Sequence, residues 1–169
     1  MARKPSTARG TTPAGVFTST YRWSYPSKPK KVWKALTTDI GKWWKKEFFG
    51  QASSTKFRLD PRLGAMMGES GPNGAGAVWG MVSALDPGRS ILVIGHTAPK
   101  WGGPNTATME FTLEAANGRD GGARGKGKGG SVLTLTHAVF GNADAKAKQS
   151  YDEGWNALFD DAMRKHLES

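Results

Sequence analysis

The sequence predicts an α+β fold in which a meander of antiparallel strands packs against one long C-terminal helix. Three observations predict it. Apolar and polar residues alternate in one short segment after another between residues 16 and 140, the pattern of half-buried strands. The connections between those segments are rich in Gly, Pro, Asp and Asn, the residues of tight turns. Within the closing stretch 148–169 the period becomes helical, with an apolar stripe long enough to need a sheet face as its partner.

The elements follow in order. In VFTSTYRWSY, Phe17, Tyr21, Trp23 and Tyr25 share one face, with Thr18, Thr20 and Arg22 opposite, so the stretch reads as a first strand. SKPKKVWKALT sets Ser and Pro ahead of Val32, Trp33 and Leu36, a short helix. A second follows in DIGKWWKKEF, with Asp39 as expected N-cap and Ile40, Trp43 and Trp44 at i, i+3, i+4. Strands then follow at 56–59 and 65–69 around DPRLG, and at 75–85 and 90–96 around DPGR. The stretch 106–114 alternates Met109, Phe111 and Leu113 with Thr and Glu, and 131–140 places Leu133, Leu135 and His137 on one face. In the terminal helix, Tyr151, Trp155, Leu158, Phe159, Ala162 and Met163 form one stripe.

Composition narrows the function classes. A chain of 169 residues without cysteine has room for one core and can form neither disulfides nor thiolate sites. Residues 1–14 read as a disordered basic tail and 15–169 as a single domain. The tail has no signal-like apolar run and no segment is long enough for a membrane span, so a cytoplasmic protein is expected. The net charge of +10 comes from the tail, Lys28, Lys30, Lys31, the lysines of KWWKKEFF, and Arg119, Arg124, Lys126 and Lys128. Those positions are a tail, helix surfaces and a loop, so the charge reads as solvated surface and argues against a nucleic-acid partner.

KWWKKEFF, at 42–49, is therefore read as packing. Burying both tryptophans removes roughly 400 Å² from water, at about 150–250 Å² per large aromatic. At most this stabilises by about 10 kcal/mol before entropic costs. Glu69, His96 and His137 sit near the ends of strands running in the same direction, two strand places apart. Neighbours in this set lie roughly 10 Å from one another, too far for a hydrogen-bonded dyad but suited to framing a bound molecule. The facing of His96 is open at this point, and a carboxylate ligand would bind more tightly as His137 gains a proton in the ordinary histidine range. Three histidines without cysteine or close spacing make no metal site, and no cofactor is predicted. GARGKGKGG lacks the spacing of a phosphate loop and precedes a strand. The loop at 117–130 is expected to be a flexible hairpin tip.

Five stretches carry a family resemblance: VWKALTTDIGKWW at 32–44, FRLDPRLGAMMGE at 57–69, WGMVSALDPGRSILVIG at 79–95, SVLTLTHAVFG at 131–141 and YDEGWNALFDDAMRKHL at 151–167. Together they resemble the helix-grip fold of the START and birch-pollen-allergen (SRPBCC) superfamily, in the branch homologous to the activator of heat-shock-protein-90 ATPase. The resemblance implies a curved seven-stranded antiparallel sheet wrapped around the long C-terminal helix, two short helices after the first strand, and an apolar cavity between sheet and helix. It points first to non-catalytic binding of a small, mostly apolar ligand. Trp43, Trp44, Phe57, Met67, Trp79, Met109, Phe111, Leu135, Trp155 and Phe159 would be walls, with Glu69 and His137 as polar contacts. A co-chaperone-like protein-interaction domain with a chaperone partner is the second reading. A hydrolase or cyclase of the kind found elsewhere in the superfamily is the third, and it lacks a visible acid–base pair. The chain is expected to be a monomer, or a homodimer through a sheet edge.

Overall fold

The computed structural model describes residues 13–116 and 130–169. The expected tail, but for its last two residues, and all but the last residue of the 117–130 loop lie outside the described residues.

Strands β1 (Gly15–Tyr25), β2 (Lys56–Leu59), β3 (Met66–Ser70), β4 (Gly76–Asp86), β5 (Ser90–Thr97), β6 (Asn105–Ala115) and β7 (Ser131–Gly141) form one antiparallel sheet in the order β1-β7-β6-β5-β4-β3-β2. From β2 to β7 the chain simply meanders. β1 pairs instead with the last strand, in an unbroken register from Gly15↔Gly141 to Tyr25↔Ser131. The helical connection α1 (Pro29–Leu36) and α2 (Ile40–Trp43) carries the chain from one edge of the sheet to the other. Register shifts at Met67/Gly68 and between Val82 and Ala84 are bulges, which add twist and curl the sheet.

α1 begins on Pro29, which lacks the N–H that a first helical residue leaves unpaired, and buries Val32, Ala35 and Leu36. α2 is a single turn. Asp39 precedes it but does not cap it, because its carboxylate is drawn to Lys34 at 3.4 Å and Lys42 at 3.0 Å. Trp44 lies just past the turn in extended backbone. Both tryptophans are nevertheless buried: Trp43 Nε1 donates to the Ala35 carbonyl at 2.8 Å, and Trp44 stacks on Phe57 with centroids 3.8 Å apart.

The C-terminal helix runs as α3 (Ala145–Asn156), a π-helical segment (Ala157–Met163) and α4 (Arg164–Glu168). Asp144 caps its start, accepting from the Ala147 amide at 2.7 Å. The sequence period predicts an uninterrupted α-helix, so the wider turn is a departure. It coincides with Phe159, whose ring stacks on Trp23 at 4.8 Å and whose carbonyl accepts from Tyr25 Oη at 2.7 Å. A π turn shifts backbone groups away from their usual partners, and the tyrosine hydroxyl supplies one. Among the described residues no helix is long and apolar enough to cross a membrane.

Candidate functional site

The interior is filled unevenly. Toward the α1 and α4 end, Phe159 packs against Trp43 at 5.4 Å and Phe111 at 5.5 Å between centroids, and all three are almost wholly buried. Toward the start of α3 the packing opens into a half-enclosed cavity of about 410 Å³ between helix and sheet.

One wall is built around Glu69 on β3, which alternation turns inward with Phe57 and Met67. Its carboxylate accepts from the amides of Gly50 (2.7 Å) and Gln51 (3.3 Å) and from Trp79 Nε1 (3.2 Å). Trp101 Nε1 donates to the Gly50 carbonyl at 3.0 Å. Gly50 is thus held through both backbone groups, and a Cβ there would stand 3.1 Å from both Glu69 Oε1 and Trp101 Nε1. This clamp ties the 46–51 segment, with Phe48 and Phe49, over one side of the cavity.

His137 forms the opposite wall. It is 1% exposed, and its Nδ1 accepts from Trp155 Nε1 at 3.2 Å. The rings of Tyr151 and Phe17 flank the imidazole in T-shaped arrangements, with centroids 4.8 and 6.2 Å away. Burial pushes its pKa down to about 4, against a smaller upward pull from Asp152. The expectation of a titration in the ordinary histidine range is therefore corrected: the folded ring is neutral there. Asp152 is itself held by Tyr21, by Ser19 at 3.3 Å and by Lys148 at 2.7 Å.

Of the expected wall and contact residues, Glu69, Trp79, Met109, His137 and Trp155 line the cavity. Trp43, Trp44, Phe57, Met67, Phe111, Leu135 and Phe159 do not reach it and pack in the closed core behind. His96, whose facing was open, is exposed and shares a 3.1 Å hydrogen bond with Thr106 across the outer face of the sheet. It touches the cavity only at the mouth, because Ile91, Val93 and Gly95 take the inward positions of β5. Phe48, Phe49, Trp101, Tyr151, Gly154 and Leu158 also line the space and were not among the candidates. Tyr151 and Leu158 lay on the helical stripe. Trp101 was legible only as a large aromatic in the glycine- and proline-rich connection TAPKWGGPN.

Solved structures with this fold are similar over nearly their whole length. The Mll3558 protein from Rhizobium loti has a TM-score of 0.63 at 19% identity, covering 91% of this chain and 99% of that one. Ara h 8.0201 has a TM-score of 0.61 at 16% identity, covering 90% and 98%. An uncharacterised protein from Rhizobium leguminosarum has 0.59 at 15% identity, covering 93% and 99%. At such identities the likeness establishes the helix-grip fold and nothing finer. No curated protein sequence matches. The sequence model of the family described as "Activator of Hsp90 ATPase homolog 1-like protein" matches residues 26–168, every element from α1 to α4, and the chain belongs to that family.

Proposed function

We propose that the protein binds a small, mostly apolar molecule in the cavity between α3 and the sheet, without transforming it. The observation that carries this reading is the contrast between a closely filled core and an adjoining space of about 410 Å³ walled by Phe48, Phe49, Trp79, Trp101, Tyr151 and Trp155. That volume falls within the roughly 300–1,000 Å³ of small-molecule sites, where apolar walls supply affinity and a few polar groups supply orientation. The groups that an enzyme would use are already engaged: the Glu69 carboxylate holds the 50–51 backbone, and His137 Nδ1 holds Trp155. A carboxylate accepting three hydrogen bonds is a structural tie more than a general base.

Titration with Nile red, an uncharged solvent-sensitive dye, tests this. Saturable binding at one dye per chain, with a blue-shifted emission, is the expected result. Linear, unsaturable uptake would remove the ligand-binding reading. The family's protein-interaction role, with a chaperone as partner, would then take its place.

A further inference from the structure

We propose that His137 presents a fixed Nε2–H donor to the cavity, and that the ligand is an uncharged molecule with a carbonyl-type acceptor at one end of an apolar body. The proposal rests on the reading of the cavity as a ligand site and adds the chemistry of what enters it.

The tautomer follows from one hydrogen bond. Indole Nε1–H can only donate, so the 3.2 Å contact from Trp155 Nε1 requires a lone pair on His137 Nδ1. A neutral imidazole with Nδ1 so occupied carries its proton on Nε2. Trp155 thus acts as the device that sets the ring's polarity, and both are anchored, one by β7 and one by α3.

The second step concerns what Nε2–H meets. Among the described residues it has no hydrogen-bond partner, while the ring is 1% exposed and lines the cavity. The flanking groups, Tyr151 and Phe17, are aromatic rings set steeply to the imidazole plane. Nε2 is not among the sealed, unpaired polar atoms of the described residues, so the donor opens on the cavity, and an acceptor arriving there takes a hydrogen bond that the protein does not provide.

The third step is charge. In a chain of net charge +10, the residues lining this space include Glu69 and Glu47 and neither a lysine nor an arginine. Asp152 acts on His137 from the α3 side. Lys148 pairs with that aspartate at 2.7 Å, so the uncompensated charges on the lining are the two glutamates, and a carboxylate brought here would meet no cation among the lining residues, at the full cost of losing its water. An uncharged ketone, ester or amide oxygen meets neither penalty and accepts the Nε2–H.

The test uses three naphthalenes of one shape: 2-acetylnaphthalene, its isostere 2-isopropenylnaphthalene with a methylene in place of the oxygen, and 2-naphthoate. The ketone should bind about five- to tenfold more tightly than the alkene, as one hydrogen bond allows, and the carboxylate most weakly. His137→Asn keeps an acceptor for Trp155 but removes the Nε2–H. It should make ketone and alkene equal, the readout being the ratio of the two affinities within each protein. His137→Gln, which can return an N–H near the Nε2 position, should restore the preference. Should either variant fail to fold, side-chain ¹⁵N spectra of the wild-type protein decide, since they show directly which ring nitrogen of His137 bears the proton. Equal affinity for ketone and alkene in the wild type, tighter binding of the naphthoate, or a proton on Nδ1 would overturn the proposal while leaving the cavity reading intact. Failure of ketone and alkene alike to bind would overturn the cavity reading, and this proposal with it.

Discussion

A buried imidazole whose Nδ1 already accepts a hydrogen bond is a poor base, and this should be visible in the stability of the whole chain. His137 falls from an ordinary 6.5 to about 4 on folding, mainly through burial, with Asp152 opposing. Between those values the unfolded chain takes up a proton that the folded chain refuses. Stability from this residue is therefore fully present above about pH 6.5 and is lost as pH falls toward 4. The loss is on the order of 3 kcal/mol, at 1.36 kcal/mol per unit. Below that window Asp39 and Asp161 take over, since hydrogen bonds from lysines lower both, and their contribution disappears as they protonate. Urea unfolding from pH 7.5 to 4.5 should show the His137 slope, and His137→Asn should flatten it. An equal slope in the variant would place the titration elsewhere. That His137 faces inward was legible from the alternation of Leu133, Leu135 and His137. Its protonation was not, because that depends on Trp155, a partner eighteen positions away on another element.

Around the apolar core a few polar ties join one element to another, and two of these lead to predictions. Glu69 on β3 fastens the 46–51 segment through the Gly50 and Gln51 amides. Glu69→Gln replaces one acceptor oxygen with a donor facing those donors, so it should destabilise by about 1–3 kcal/mol. It should also speed hydrogen exchange at Gly50 and Gln51 while leaving β6 and β7 protected. Uniform loss of protection would mean that Glu69 supports the sheet as a whole. The second tie is Tyr25 Oη to the Phe159 carbonyl in the π segment. Tyr25→Phe should cost about 0.5–1.5 kcal/mol in chemical unfolding, and no change would show that the π turn satisfies its own backbone. The strands along the chain, both short helices and the terminal helix were readable, because alternation and the 3.6-residue period depend on burial alone, whereas the pairing of β1 with β7 was not. The single turn of α2, the uncapped Asp39 and the π segment were not. The last two are decided by side chains that no period encodes: Lys34 of α1 and Lys42 of α2 for Asp39, and Trp23 and Tyr25 of β1 for Phe159.

At the scale of the whole molecule, pattern identifies which faces turn inward but not whether the space between them is filled. Met67, Phe111, Leu135 and Phe159 were expected on the same grounds as Met109 and Trp155, yet only the latter two meet the cavity. The difference lies in how five aromatic rings from four separate segments stack, with Trp23, Trp43, Trp44, Phe57 and Phe159 closing one end. A space-filling pair of variants separates the two regions. Gly154 lines the cavity from α3, and a Cβ added there meets only Phe48, at 3.3 Å. Gly154→Leu should therefore project into the open space. It gains about 0.8–1.0 kcal/mol of helix propensity, less leucine's own small cost, offset by displacement of Phe48, so stability should stay within about 1 kcal/mol of wild type. Nile red affinity should fall at least tenfold. Phe111, fully buried and away from the cavity, behaves in the opposite way. Phe111→Trp overpacks a closed region and should cost about 1–3 kcal/mol, while the folded protein keeps its dye affinity within about twofold. If Phe111→Trp abolished binding and Gly154→Leu did not, the dye site would lie deeper than α3, and the region called closed would be the one that opens.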